Sequence, residues 1–521
     1  MKIDKLFHLI QSLTRNEKSA ITKATQSKDK TFDYVLLYRA LQSIRGEYDE
    51  AAFLKKHAKK SFIKNFSARK TELYEKILAS LRTQRQFGGR DKPIEFKVRE
   101  LLEDAWLLKE KTLSEQSKAR LQKARKEAEK YHLHEVLLEI FKLERTLLMR
   151  EMPKNLECET EKLHAKISEV TEAIHNKYRM LALKDQIFVF IRQHNELNGK
   201  LDKAGLRKVM EEKELNNIAY CKSIEAESNY HACHAMFHYL MGNSSEAWIH
   251  ARSQYLMWQE YKDLQRIKPI DYRNVLQNYL SFCNEVLRYE DFDLALAQMV
   301  GGKFRSNAEK ASAIHNSLNV RLQKALNLCQ WETAEGLQAE FKEKLKDFSE
   351  HIMPSRIMTF DLSFSRLSIV KGEWKKAIKR AQFVLDEGGT DIQKGLAFEA
   401  HLQIAISLYM QKDYSATEKK CRYLLDHFRK NEMGNDFEKG MLTILKRYAA
   451  VGDGHNKQIG CEFQDLLSKS HGGMDNKQMH KSVTHAWMRS QIVAVSLSTI
   501  LHADLKEQER KLAKAKSQTS F

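Results

Sequence analysis

The fold is decided by a short pattern whose clearest copy is Gly372-Glu373-Trp374-Lys375-Lys376-Ala377. In this copy an aromatic residue, Trp374, is followed three positions later by a small residue, Ala377, and preceded five positions earlier by a large apolar residue, Ile369. We term this spacing the turn motif and its central residue the anchor. Residues three apart share one face of a helix, so Trp374 and Ala377 suit the inner face of one helix. The motif predicts a helix ending near Ile369, a short turn, and a second helix beginning at Trp374.

The turn motif occurs five times along the chain. The anchors are Ser244, Phe292, Trp331, Trp374 and Tyr414; the small residues are Ala247, Ala295, Ala334, Ala377 and Thr417; the apolar residues are Tyr239, Leu287, Leu326, Ile369 and Tyr409. Successive anchors are 48, 39, 43 and 40 residues apart, which is typical of a repeated helical hairpin. Such hairpins bury their apolar faces by stacking on their neighbours. The sequence therefore predicts an all-α solenoid of stacked antiparallel helical hairpins; the alternative is chance matching in a helix-rich chain.

Two stretches resemble known proteins. Residues 372–377, with residues 242–247 as a second copy, resemble the core of a tetratricopeptide repeat (TPR), and the resemblance covers residues 215–470. The opening residues 6–18 resemble the start of an uncharacterised family of bacterial TPR-like proteins. Because the repeats are longer than the 34 residues of a standard TPR, the resemblance implies a TPR-like fold but transfers no peptide-binding positions. It also implies a groove, lined by the first helices of successive hairpins, that binds a peptide or partner protein.

Composition and the positions of helix-breaking residues predict that the chain has three structural parts. Of 521 residues, 42% are hydrophobic and 30% charged, enough for a large core with a soluble surface. The four prolines, at positions 93, 153, 269 and 354, suit the first turns of helices. We predict a small basic helical N-terminal module at residues 1–92, a TPR-like solenoid at 93–470, and a C-terminal capping helix with a tail at 471–521. The last part is expected to contain one long helix, from about residue 477 to residue 516.

Hydropathy and cysteine usage predict a cytoplasmic protein without membrane association. The N-terminus is charged and lacks the apolar core of a secretory signal. The longest apolar stretch, residues 492–501, has ten residues, about half the length of a membrane-spanning helix. The seven cysteines are scattered without a CxxC pair, which favours buried thiols in a reducing compartment over a disulfide framework.

Polar residues on the predicted first helices are candidates for contacting a partner. Asn274 and Asn278 are four apart, so both lie on one helix face and suit hydrogen bonding to a ligand backbone. The candidate groove residues are Arg273, Asn274, Asn278, Asn316, Asn319 and Arg321. The alternative is that these side chains cap helices or face solvent. The functional prediction is a non-catalytic scaffold for a protein or peptide partner of unknown identity.

Positive charge is concentrated near the N-terminus. The chain carries a net charge of +19, and residues 1–90 contain 20 Lys and Arg against 9 Asp and Glu, a surplus of 11. The candidate basic patch comprises Lys55, Lys56, Lys59, Lys60, Lys64, Arg69 and Lys70. Such a patch can neutralise phosphates and predicts salt-sensitive binding to nucleic acid. Because no helix-turn-helix pattern accompanies it, a solvated basic face is favoured, with an acidic protein partner or a nucleic-acid-associated regulator as the alternatives.

One stripe has the residue types of a metal site. Glu227, His231, His234 and His238 follow at spacings of 4, 3 and 4 and share one helix face. Imidazole and carboxylate groups ligate zinc, but one helix rarely completes a tetrahedral site, and no HExxH motif or second helix with the missing ligand is evident. Ordinary packing is therefore favoured, with no metal and no cofactor. Phosphate-binding glycine loops, GxSxG elbows and kinase motifs are also missing from the sequence, which predicts a protein that is not an enzyme.

Overall fold

The chain is built from α-helices in two compact units. The computed structural model describes residues 5–13, 15–25, 32–44, 48–84, 93–197, 203–302, 304, 306–348, 351–352, 354–388, 394–430, 436–452, 456–470, 483–493 and 495–518. These residues form 26 α-helices and two short 3-10 helices, and no β-strand occurs among them. The all-α prediction is therefore confirmed. The units are Met1–Glu100 and Leu101–Phe521, so the division falls eight residues after the predicted end of the N-terminal module at residue 92.

The first unit has its own core. Its helices are α1 (Lys5–Ser12), α2 (Arg15–Thr25), α3 (Asp33–Gln42), α4 (Glu50–Lys56) and α5 (Phe66–Gln84), with a 3-10 helix at Ser61–Ile63. Ile10, Leu37 and Leu73 are fully buried at its centre. Leu73 and Ile77 are one helical turn apart and face this core together. The opposite side of α5 is left to its charged residues.

The second unit is a succession of helices in which neighbours along the chain pack together. Its helices are α6 (Ile94–Glu110, which contains the division between units), α7 (Ser114–Lys130), α8 (His134–Glu151), α9 (Leu156–Leu197), α10 (Lys203–Met210), α11 (Lys213–Asn216), α12 (Ile224–Leu240), α13 (Ser244–Glu260), α14 (Lys262–Ile267), α15 (Pro269–Val286), α16 (Phe292–Val300), α17 (Asn307–Asn327), α18 (Trp331–Phe348), α19 (Pro354–Val370), α20 (Trp374–Gly388), α21 (Lys394–Met410), α22 (Tyr414–Lys430), α23 (Asp436–Val451), α24 (Asn456–Ser470), α25 (Val483–Val493) and α26 (Leu497–Gln518). Helix α12 packs on α13, α17 on α18, α19 on α20, and α21 on α22. The 42-residue helix α9 packs against α8 and α12, and also contacts α21.

All five turn motifs mark the start of a helix. The anchors Ser244, Phe292, Trp331, Trp374 and Tyr414 are the first residues of α13, α16, α18, α20 and α22. The five small residues, Ala247, Ala295, Ala334, Ala377 and Thr417, are all fully buried. At Ala377 the neighbouring helix comes close enough for a direct polar contact, because Ser365 Oγ of α19 donates to the carbonyl of Ala377 at 3.0 Å. A small side chain at this position therefore permits close packing within the hairpin.

The fixed spacing of the motif comes from a left-handed turn residue. Six helix junctions place such a residue two positions before the next helix; these residues are Thr112, His132, Gly242, Cys329, Gly372 and Lys412, with φ between 52° and 81°. At the clearest junction, Gly372 N–H donates to Ile369 O at 3.0 Å and Glu373 N–H donates to Ser368 O at 2.8 Å. These two bonds form a Schellman motif, which satisfies the last carbonyls of a helix. The apolar residue five positions before the anchor is thus the residue whose carbonyl accepts the hydrogen bond from the N–H of the left-handed turn residue. The turn before Phe292 is longer, and there the residue in the left-handed conformation is Leu287.

Alanine at Gly372 is expected to lower the free energy of unfolding by about 1 kcal/mol, because residues with a Cβ pay that cost in the left-handed region. Steric contact adds little, since a Cβ at this position meets only the Trp374 ring, at 3.8 Å. The matched control is Gly336→Ala in the interior of α18, where nothing lies within 4 Å of the added Cβ. That change is expected to stabilise by about 0.5–1 kcal/mol. Urea denaturation checks the pair, and shifts of the same sign would contradict the turn argument.

The C-terminal part differs from the single long helix predicted for residues 477–516. Residues 471–482 lie outside the described part of the chain, and two helices follow, α25 and α26. The break arises because the Ser496 hydroxyl accepts a hydrogen bond from the Thr499 N–H at 3.1 Å. A serine in this position caps the N-terminus of a new helix. Both helices contribute to a core shared with α19 and with α21–α24, through Trp487 and Ile500.

Among the helices that the structure describes, none combines the length and apolar composition that a membrane-spanning segment requires.

Candidate functional site

Four helices of the second unit line a cleft of about 790 Å³. Helix α9 contributes one face, from Lys177 to Phe188, α12 and α15 form the other walls, and α13 adds Gln254 and Trp258. Both α12 and α15 are first helices of hairpins that the turn motif defines. Two of the predicted first helices therefore line the cleft, together with α9 and α13.

The apolar part of the cleft is aromatic and accessible. The side chains of Phe188 and Tyr239 are 55% and 39% exposed. Tyr239 meets Phe282 edge to face, with ring centroids 6.0 Å apart. Exposed rings of this kind bury large apolar areas when a partner covers them.

The polar part of the cleft consists of amides on α15. Asn274 and Asn278 both line the cleft and are exposed, and no hydrogen-bond partner for either amide is found among the described residues. Gln277 lies between them: its Nε2 donates to Ser281 Oγ at 3.1 Å, while its buried Oε1 has no partner in the described part of the chain. Free amide groups can pair with both the N–H and the C=O of a peptide backbone.

Charged residues at the floor of the cleft are held in place by one another. Glu225, whose side chain is 12% exposed, forms ion pairs with Lys268 and with Lys177, the latter at 3.8 Å. Although burial disfavours the charged form of Lys177, its ion pairs with Glu135 and Glu225 raise its pKa above the ordinary value. Lys184 Nζ donates to Asn229 Oδ1 at 2.8 Å. These ion pairs and this hydrogen bond hold the charged side chains in the cleft lining in place.

Two of the predicted groove residues are engaged in ion pairs between helices. Arg273 pairs with Glu309, and its guanidinium lies over the Phe304 ring, 5.1 Å from the centroid. Arg321 pairs with Glu340 at 2.9 Å. Neither arginine lines the cleft, and both serve contacts between successive helices.

The remaining two predicted residues lie on α17. Asn316 Oδ1 accepts from Arg356 Nη1 at 3.5 Å. Asn319 lines a second cavity of about 330 Å³ between α15, α17, α19 and α26. Ser281 and Glu285 line both cavities, so the C-terminal helix α26 lies directly beside the cleft. Sequence reasoning missed α26 as a neighbour of these helices.

The predicted basic patch is only partly available. Lys55, Lys56, Lys59, Lys60 and Lys64 are exposed around the end of α4, and no acidic group within the described residues lies within 4.0 Å of them. Arg69, in contrast, pairs with Glu72 at 2.5 Å and Asp33 at 3.6 Å. Lys70 pairs with Glu50 at 2.6 Å. The accessible positive charge is therefore the five-lysine cluster.

The histidine stripe gains a residue from a second helix. His250 of α13 joins His234 and His238 of α12, with ligand atoms of the three all within 4.8 Å of one another. His231 Nδ1 lies 3.2 Å from His250 Nδ1. Glu227 is not part of this group, and burial together with the nearby charge of Glu260 raises its pKa. The missed signal was symmetry about the turn, since His234 and His250 lie eight residues before and eight after the turn residue Gly242.

Comparison of the chain with protein-family models, with curated proteins and with solved structures gives no match.

Proposed function

We propose that the second unit is a TPR-like solenoid that binds a segment of a partner protein, without catalysis, in the cleft between α9, α12 and α15. The observation that carries this proposal is the cleft itself. Two of its walls come from the first helices α12 and α15, and its lining combines exposed aromatic rings with amides that have no hydrogen-bond partner among the described residues. These groups recognise a polypeptide through burial of apolar area and backbone hydrogen bonds.

A helical partner segment suits the cleft better than an extended one. The adjoining inner faces of α15, α17 and α19 already line a cavity with α26, and Trp331 Nε1 donates to Ser498 Oγ at 3.1 Å on that helix. The chain thus provides its own example of a helix that packs beside α15, α17 and α19. The partner segment would place apolar side chains against Phe188 and Tyr239 and polar ones toward α15.

The buried thiols favour a reducing compartment, and we place the protein in the cytoplasm. Cys233 and Cys283 are fully buried and unpaired. Burial raises the pKa of Cys233 to about 12 and that of Cys283 to about 11. Such thiols pack as small apolar groups and are unreactive.

Replacing Asn274 and Asn278 together with alanine is expected to weaken partner binding by about 2 kcal/mol, or roughly 30-fold in Kd, because two backbone hydrogen bonds are lost. Both side chains are exposed, so the thermal midpoint should not change. The control is Gln116→Ala with Gln122→Ala, which removes two exposed amides from α7. A photo-crosslinking residue at position 278 identifies the partner first, and titration of the purified partner then compares the variants.

The outcome separates the alternatives. Equal Kd values for the two double variants would overturn the cleft as the binding site. A crosslink that nuclease removes, together with loss of binding in a Lys55→Gln, Lys59→Gln, Lys60→Gln variant, would favour the nucleic-acid alternative. That alternative rests on the five-lysine cluster of the first unit.

A further inference from the structure

We propose that His234, His238 and His250 form a binding site for a divalent transition-metal ion, with zinc as the best match, that joins α12 to α13. This inference is independent of the proposed partner cleft. The three histidines are not among the residues that line the cleft. On α12, His234 and His238 occupy a different face from the cleft residues Ala232 and Met236. The cleft and the histidine group can therefore be tested separately.

The geometry of the three imidazoles suits convergence on one ion. His234 and His238 are one helical turn apart on α12, and His250 comes from the facing helix. The ring centroids of His234 and His250 are 4.6 Å apart, and those of His238 and His250 are 5.7 Å apart. The three ligand atoms lie within 4.8 Å of one another. Tetrahedral zinc requires nitrogen–nitrogen separations of about 3.3 Å at its usual bond lengths, which modest side-chain rotations would achieve.

One ligand is oriented by a backbone carbonyl. His234 Nε2 lies 2.9 Å from Leu215 O. A carbonyl oxygen can only accept, so Nε2 carries the proton and donates it, and the Nδ1 lone pair of neutral His234 is left for a metal. Metal-bound histidines commonly donate their second N–H in this way. His238 Nδ1 is buried and has no hydrogen-bond partner among the described residues.

Burial lowers the pKa of each of the three imidazoles. Burial, together with the neighbouring histidines, lowers the pKa of His250 to about 3. Burial also lowers the pKa of His231 to about 4, with a contribution from His234. The carboxylate of Glu246 opposes the effect of burial at His238, so one acidic group borders the site.

The ligand set indicates the class of ion. Three nitrogen ligands with one open position is an arrangement that zinc adopts in proteins, whereas calcium and magnesium prefer oxygen ligands. Imidazole also binds copper and nickel. Glu246, one turn before His250 on α13, and His231 lie beside the three histidines. The bound ion would fasten the two helices of one hairpin to each other.

Metal binding is tested on the untagged full-length chain after chelator treatment. Titration with ZnSO4 in a calorimeter is expected to show one ion per chain, and CoCl2 is expected to give the visible absorption of a four-coordinate cobalt site. Zinc should also raise the thermal midpoint, because a ligand that binds only the folded state stabilises it. No saturable zinc binding, or a cobalt spectrum of the hydrated ion alone, would overturn the proposal.

The deciding variant is His250→Gln, which removes the ligand from the second helix. We expect its zinc Kd to rise about 100-fold, the upper end of the loss seen even for outer-shell residues. The control is His401→Gln on α21, another half-buried histidine whose pKa burial lowers to about 4; its zinc Kd should match that of the unmodified chain. Equal Kd values for the two variants would refute the site. Circular dichroism checks folding, and if His250→Gln loses helix content, His238→Gln takes its place.

Discussion

Replacing Trp487 with alanine lowers the free energy of unfolding by about 3–5 kcal/mol, the range for large aromatic side chains in a core. Trp487 lies on α25 and is 1% exposed. Its ring meets Phe463 and Tyr409 edge to face, with centroids 5.7 Å and 6.1 Å away. The buried Nε1 has no hydrogen-bond partner among the described residues. Truncation therefore also removes an unsatisfied donor, which places the expected loss toward the lower end of the range.

The same helix supplies a control for Trp487. Val493 is 55% exposed, so Val493→Ala is expected to change stability by no more than about 0.5 kcal/mol. Urea denaturation followed by circular dichroism measures both variants. A loss below about 1 kcal/mol for Trp487→Ala would show that α25 contributes little to the core. The C-terminal part would then be a solvated tail and not the predicted capping helix.

The helix junctions were predictable because they depend on local chemistry. Each anchor begins a helix, and Pro269 and Pro354 are the first residues of α15 and α19, where proline is pre-organised for a helix start. The Schellman turns themselves were not predictable from composition. Only Gly242 and Gly372 carry the residue type expected at a left-handed position, and the other four junctions use residues that give no such signal.

Long-range contacts account for what the sequence did not predict. Helix α9 contains no turn motif, and its contacts with α12 and α21 join residues far apart in the chain. The i,i+4 spacing of Asn274 and Asn278 identified one wall of the cleft, because both lie on one helix. Phe188 could not be added, because its position opposite α15 depends on how separate helices stack. Arg273 and Arg321 illustrate the same limit, since their acidic partners lie on other helices.

His250 lies between the features that local sequence predicts and those that depend on long-range contacts. An antiparallel hairpin places residues side by side when they are equally far from the turn, and His234 and His250 are each eight residues from the turn residue Gly242. The turn motif therefore contained enough information to pair them. The search for metal ligands stayed within one helix face, and so Glu227 was included while His250 was missed.

Replacing Ala377 with leucine is expected to lower the free energy of unfolding by about 3 kcal/mol, the upper end for overpacking a core. Ala377 is fully buried, and the Ser365 hydroxyl donates to its carbonyl at 3.0 Å. Three added carbons have no room unless α19 and α20 separate, which would break that hydrogen bond and loosen the core shared with Ile369. The cost thus combines strain with a lost interhelical contact.

Lys375→Leu is the matched control for Ala377→Leu, because it adds the same side chain to the same helix at an exposed position. Its effect should lie within about 0.5 kcal/mol. Denaturation midpoints and hydrogen exchange across α19 and α20 measure both variants. If leucine at position 377 is tolerated as well as at 375, the hairpin does not close through this residue. The small residue of the turn motif would then reflect helix preference alone, and close packing would no longer explain why it recurs at all five anchors.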